Sequence, residues 1–375
     1  MPRSVNYRLL RRITTQLEQH MAGYGYEPFD TPIIQPTDLF LTRAGDQVVK
    51  RLFTFDRDGQ SIALRPEFTA PAAYAYAQQH PDGAAIVRWQ FSGFVFVDYA
   101  TGAQQRMSVG AELFGAGGAD ADAEIVTIAA RGLDTLGVRD WNIDIGHVGL
   151  LRAVLERFRL DARTERFILH HLAALSNPAQ GKGYVLEQLD RLLQAPPDVD
   201  FAVPTINDVE RTLDAVLESG HYGVTMGGRD RADIARRLIQ KRQRFTERHQ
   251  VSAALDVLEH VGGTWTNVER AFDELGRLVE GDHERAILTR WHGTMRAINE
   301  SGIDLSRITI RPTLARDWEY YTGIVFELRS AHDAHIGGGG RYDELVKLLG
   351  GERETPAVGF VYHIDQLIAG LEASE

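Results

Sequence analysis

The chain has 375 residues, 43% apolar and 25% charged, enough to bury the cores of roughly two or three domains. It contains no cysteine, which excludes disulfides, a cysteine nucleophile and cysteine-ligated zinc or iron–sulfur centres. A formal charge of −11 argues against broad wrapping of nucleic acid, which needs clustered Lys and Arg. The opening MPRSVNYRLLRR has no apolar signal region and no long apolar run follows, so a soluble, cytoplasmic protein without a membrane span is expected.

Leu9, Leu10, Ile13, Leu17 and Met21 recur at helical spacing and stop at Gly23 and Gly25, which predicts an amphipathic helix. Phe29, Ile33 and Ile34 lie among Pro28, Pro32 and Pro36, which donate no ladder hydrogen bonds, so an edge or interface strand is expected there. Leu52 to Phe55 and Ser61 to Leu64 flank Asp58-Gly59 and read as a hairpin. A helix over Ala70 to Gln79 precedes strands at Ile86 to Phe91, Phe94 to Tyr99 and Arg106 to Phe114. In the last strand, period-two geometry puts Ser108, Gly110 and Glu112 on one face. A helix over Ala121 to Leu136 and a strand over Trp141 to Gly146 complete this half.

From about 151 to 302 the pattern turns to Leu-, Ala-, Arg- and Glu-rich helices, broken at Ala195-Pro196-Pro197 and Met226-Gly227-Gly228, which suggests an inserted helical domain. Its basic stretch, Arg229 to Arg248, reads as a helix with a solvated face, or as an anion or protein docking patch. Strands return at Arg307 to Thr313, Tyr320 to Arg329 and Ala357 to Tyr362, around the glycine run Gly337 to Gly340. No repeat or low-complexity tract is evident.

No glycine cluster precedes GK[ST] or forms G-x-G-x-x-G, no H-E-x-x-H joins the thirteen histidines, and no G-x-S-x-G occurs. Phosphate-loop, metal and serine-hydrolase chemistry are therefore not expected, and neither is a cofactor. Polar residues inside apolar segments stand out instead: Glu67, Thr69, Glu112, Arg316, Tyr320, Tyr321 and Tyr342. If their strands are neighbours, Glu67 and Glu112 can accept an ammonium group while Arg316 supports the rest of a small ligand. Spacing alone leaves it equally open that each is a paired structural group.

The segments from Gly25 to Ile34, Leu64 to Ala70, Gly110 to Gly115, Arg316 to Glu327, Gly338 to Leu345 and Thr355 to Phe360 resemble, in order, the histidyl-tRNA synthetase core. The resemblance covers about two hundred residues on both sides of the insertion. It implies an α+β, class II aminoacyl-tRNA synthetase-like core over 1–150 and 303–375, an antiparallel sheet flanked by helices, with the mainly helical insertion over 151–302. It also implies a homodimer formed through Tyr26 to Phe40.

By the same resemblance, Glu67, Thr69, Glu112, Arg316, Tyr320, Tyr321 and Tyr342 map to the family's histidine pocket. Ser108 stands where the family usually has glutamine, and Asp317-Trp318-Glu319 departs from Gly-Leu-Asp. Amino-acid activation needs cations around the ATP phosphates. Val97 and Gln366 occupy the places of the two arginines that supply them. The anticodon-binding domain of a synthetase is not expected either.

Those departures are similar to the regulatory-subunit family paired with short-form ATP phosphoribosyltransferases. That likeness implies a non-catalytic protein that forms a hetero-oligomer with the short-form catalytic subunit, activates it and makes it sensitive to histidine. The alternative is an orphan synthetase-like protein with residual amino-acid activation, Arg65 or Arg106 serving as surrogate cation, or one that senses tRNA or histidine.

Overall fold

The computed structural model describes residues 7–41, 46–98, 104–175, 177, 179–193, 248–314, 316, 318–330 and 333–374. Two units emerge: Met1–Val154 with His260–Glu375, and Leu155–Glu259. The smaller unit is helical in its described residues, with helices Ala162–His170, Leu172–Leu175 and Gly181–Leu193 and most of Arg248–Val261. Val185, Leu189, Val251, Leu255 and Leu258 are buried. Asp161 caps the first helix by accepting from Arg163 N at 2.9 Å and Thr164 N at 3.1 Å, satisfying donors that a helix start leaves unpaired. The basic stretch Arg229 to Arg248 lies, up to residue 247, outside the described residues.

The larger unit is built on eleven strands: β1 Glu27–Pro28, β2 Ile34–Pro36, β3 Thr54–Arg57, β4 Gln60–Leu64, β5 Val87–Phe96, β6 Gln105–Phe114, β7 Trp141–His147, β8 Ile308–Ile310, β9 Ile324–Ser330, β10 His335–Arg341 and β11 Ala357–His363. Eight form one sheet in the order β1-β5-β6-β11-β10-β9-β7-β8. Its central pairs are antiparallel, whereas β1–β5 and β7–β8 are parallel. The expected antiparallel sheet is thus mixed at its two edges. The order brings β5, β6, β10 and β11, far apart in sequence, side by side under the site.

Its principal helices are α1 Tyr7–Ala22, α2 Thr69–Gln79, α3 Ala119–Thr135, α4 Val268–Leu278, α5 Asp282–Glu300 and α6 Ile364–Ser374. The periodic residues Leu10, Ile13, Leu17 and Met21 form the buried stripe of α1, as an amphipathic helix requires. Helices α4 and α5 correct the expected insertion, 151–302, at its C-terminal end, because both belong to the larger unit. Leu288, Trp291, Met295 and Ile298 are buried on α5, and Thr127 of α3 meets Ser301 hydroxyl to hydroxyl at 2.8 Å. An apolar stripe reports that a helix is covered on one face, not which unit covers it.

Three strand expectations also change. β5 runs unbroken where two strands were expected, because Ser92 and Gly93 stay in register with Val109 and Ser108 of β6; Gly93 also leaves room for the Arg65 guanidinium, since a Cβ there would stand 2.5 Å from Nη2. The strand expected from Tyr320 begins at Ile324, leaving Tyr320 and Tyr321 in the preceding turn. The strand expected over Arg307 to Thr313 shortens to β8. The hairpin stands as read, with Asp58 and Gly59 at φ 52° and 75°, the left-handed pair that a two-residue hairpin turn uses.

Candidate amino-acid-binding site

A cavity of about 100 Å³ opens over the face of β5, β6, β10 and β11, lined among others by Glu67, Thr69, Arg316, Tyr320, Tyr321 and Tyr342. It is smaller than the few hundred Å³ of a drug-sized pocket. Six of the seven residues expected from the sequence line it. The seventh, Glu112, sits directly behind the wall. Its two oxygens accept from Thr69 Oγ1 at 2.7 Å and from the Tyr342 hydroxyl, so both hydroxyls tie it to the cavity.

Glu67 precedes α2 and turns its carboxylate onto the helix start, accepting from Ala70 N at 2.8 Å and from Thr69 N. This local geometry places a carboxylate at the positive end of a helix. Burial pushes the Glu67 carboxyl up to about 7, opposed by those two N–H donors. Burial pushes Glu112 up to about 8, opposed by the Tyr342 and Thr69 hydroxyls and reinforced by the charge of Glu67. Two carboxyls that share a site resist joint ionisation, and a cation placed between them would relieve that resistance.

Arg316 lies flat on β10. Its Nη1 donates to the Phe326 carbonyl at 3.2 Å and faces His335 Nε2 at 3.4 Å. Gly338 makes this possible, since a Cβ there would stand 2.2 Å from Nη1. Gly359 does the same for Glu112, where a Cβ would meet Oε2 at 1.6 Å. The glycine run is therefore a central strand whose bare backbone forms the cavity floor, the close approach for which glycine serves. Tyr320 packs against Tyr321 and Tyr342 with ring centroids 4.9 and 5.6 Å apart, and Trp318 stacks on Tyr320 at 5.6 Å. Aromatic pairs at such spacing are mutually attractive.

Sequence reasoning did not place His363, which lines the cavity, or His335 beside it at 5.1 Å between ring centroids. Strand alternation was the available signal: His363 pairs with Ser108 in register. Burial, with the charge of Arg316, holds His335 down to about 4, and His363 is held well below the ordinary imidazole value mainly by burial. Arg65 is 3% exposed and engaged: Nη1 pairs with Asp30 Oδ1 at 2.7 Å, Nε donates to the Phe94 carbonyl at 3.1 Å, and the guanidinium lies 4.0 Å from the Phe68 ring centre. Val97 is buried, Gln366 falls within α6, and Asp317 lies outside the described residues.

A glycine-floored, largely antiparallel sheet carrying paired carboxyls, an arginine and a tyrosine cluster defines a class II aminoacyl-tRNA synthetase-like protein. The histidyl-tRNA synthetase family model matches residues 4–220 and 226–367. Relatives called ATP phosphoribosyltransferase regulatory subunit are 30% identical in Rhizobium johnstonii, covering 91% of this chain and 92% of that one, and 30% identical in Allorhizobium ampelinum, covering 92% and 94%.

The fold is shared with a solved regulatory subunit/histidyl-tRNA synthetase of Bacillus halodurans (22% identity, TM-score 0.69, 97% of this chain and 79% of that one). It is also shared with a histidine–tRNA ligase subunit of Alicyclobacillus acidocaldarius (24%, 0.65, 100% and 96%). The chain belongs to the histidyl-tRNA synthetase family, among its ATP phosphoribosyltransferase regulatory subunits.

Proposed function

We propose that this chain is a non-catalytic subunit that binds the short-form catalytic subunit of ATP phosphoribosyltransferase, activates it, and transmits inhibition by histidine held in the synthetase-like cavity. One observation carries the reading: six of the seven residues that the resemblance assigns to an amino-acid pocket line one cavity, while neutral Val97 and Gln366 stand where the resemblance puts the ATP-clamping arginines. Arg65, offered above as a surrogate, is engaged by Asp30, the Thr31 carbonyl and the Phe94 carbonyl. Each lost oxyanion-type contact costs roughly 3–4 kcal/mol of barrier. Mixing with a short-form catalytic subunit is expected to give a co-eluting complex and faster phosphoribosyl-ATP formation, with pyrophosphate exchange at background. No complex and no rate change would turn the reading toward the orphan synthetase-like protein.

The expected homodimer finds support in the second sheet of the larger unit, ordered β2-β4-β3. Ile34 is 58% exposed, Phe55 51% and Phe94 of neighbouring β5 40%. Exposed apolar side chains gathered on small strands mark an association surface. Ile34→Asp with Phe55→Asp is expected to shift the chain from dimer to monomer in light scattering, and an unchanged mass would remove this face from consideration.

Histidine binding is expected to tighten as pH rises from 6 to 8. The ammonium group needs ionised partners, and the free protein holds protons on Glu67 and Glu112 up to about 7 and about 8. Binding must therefore release protons, and linkage makes affinity climb with pH. Calorimetry near neutral pH in buffers of different ionisation enthalpy checks this. Proton uptake, or an affinity flat across the range, would count against the carboxyl pair as the ammonium site.

A further inference from the structure

One residue of β10 stands outside the sheet register. Against β9, His335 pairs with Arg329 and Gly337 with Leu328, so Ile336 is the extra residue of a β-bulge. Gly338 and Gly340 face the cavity, since a Cβ would meet Arg316 at the first and the Tyr321 ring at the second. Strict alternation from them would turn Ile336 to that face and His335 away from it. The bulge resets the alternation, as an inserted residue does. His335 thereby comes to the cavity side, between Arg316 and the His363 ring.

There it completes a two-point hold on the arginine. Nη1 carries two hydrogens and meets two acceptors, the Phe326 carbonyl at 3.2 Å and His335 Nε2 at 3.4 Å. One acceptor would let the guanidinium pivot about the contact, whereas two on the same nitrogen fix its plane. The second acceptor is also uncharged. Burial and the charge of Arg316 hold His335 down to about 4, and the Gly337 backbone opposes them, the sense of a carbonyl that accepts from the ring. A proton on Nδ1 satisfies both contacts and leaves Nε2 as the acceptor.

The other charges that face His335 are paired or neutral. Glu327 is engaged by Arg329 at 2.7 Å, and Arg329 also pairs with Asp144 and Asp333, each at 2.9 Å. Burial keeps His363 neutral, helped by His335, Arg316 and Arg106. A carboxylate in place of His335 would pair with Arg316 and cancel the charge that a ligand carboxylate needs. A neutral imidazole holds the guanidinium and leaves that charge available.

We propose that His335 is a positioning residue, whose Nε2 accepts from Arg316 and sets the guanidinium for the carboxylate of the bound amino acid without neutralising it. The proposal rests on the histidine reading for what the arginine binds, and on the bulge and the two acceptors for how it is held.

The test titrates histidine at pH 8 into the full-length chain and three variants by calorimetry. It also reads the imidazole nitrogen shifts of the natural chain at pH 7, the His335 signals being those absent from His335→Gln. His335→Ala is expected to weaken binding about tenfold, the loss of a hydrogen bond to a charged group. His335→Gln, which offers an uncharged acceptor, should recover most of that loss. His335→Glu, whose carboxylate occupies the arginine, should bind no better than His335→Ala. A side chain that only fills space would not separate Gln from Glu, which share a shape. The nitrogen shifts should show Nδ1 protonated and Nε2 bare.

An affinity within twofold of the natural chain in His335→Ala, or equal affinities in the Gln and Glu variants, would overturn the assignment, as would a proton on Nε2. Should a variant fail to fold, the nitrogen shifts decide. Absence of histidine binding by the natural chain removes the reading of the previous section, and the same shifts then decide whether His335 holds the arginine.

Discussion

Arg316→Ala is expected to weaken histidine binding by roughly 30- to several-thousand-fold, the loss of about 2–5 kcal/mol that follows truncation of one partner in a desolvated charge pair. In the proposed complex the guanidinium meets the ligand carboxylate while Glu67 and Glu112 meet its ammonium. The side chain is preorganised: β10 supports it from below, the Phe326 carbonyl accepts from Nη1, and His335 flanks it. Binding therefore orders little that is not already ordered, and truncation loses nearly the whole interaction. Arg316→Lys keeps the charge but not the planar fork, so it should recover only part of the affinity. Calorimetry at pH 8, where the carboxyls are most ionised, is the measurement. A change within threefold in Arg316→Ala would move the carboxylate site elsewhere.

Arg341→Ala is expected to cost about 3–5 kcal/mol of folding stability, because it strands a buried carboxylate. Arg341 is 7% exposed and Asp122 4%. Nε pairs with Asp122 Oδ1 at 2.7 Å and Nη1 with Asp343 Oδ1 at 2.9 Å. Asp343 Oδ1 also accepts from Ala357 N at 2.9 Å, so the network links α3, the end of β10 and the start of β11. Burial raises Asp122 to about 6 despite the pull of Arg341. Without the guanidinium it rises further, and the folded state retains a proton that the unfolded chain releases. The destabilisation should therefore be larger at pH 8 than at pH 5.5. Urea unfolding at both values checks it. A loss below 1 kcal/mol at pH 8, or the reverse pH trend, would refute the assignment.

The parts legible in the sequence were those set by local pattern. The α1 stripe, the Asp58-Gly59 hairpin and the β6 alternation depend on residues a few places apart, and the structure keeps all three. Six of the seven pocket residues line one cavity because motif order carried information about which strands become neighbours. The Arg341–Asp122 pair spans 219 positions, and no local spacing marks two single residues that far apart. The central position of β10 was hidden for a different reason. Glycine has no side chain to alternate, so a strand selected for a bare floor under Arg316 and the Tyr321 ring carries no period-two signal. Helices α4 and α5 were misassigned because amphipathicity names a covered face and not the covering unit. Glu67 read as a ligand residue, and its work at the start of α2 became visible only with the backbone in place.

The most direct test of the whole account is phosphoribosyl-ATP formation by a matched short-form catalytic subunit, measured with histidine titrated into mixtures containing either this chain or its Arg316→Ala variant. The account predicts activation by both proteins, reversal by histidine with the natural chain, and loss of that reversal with the variant. Histidine inhibition of equal potency in both mixtures would contradict it, placing the histidine sensor outside this cavity.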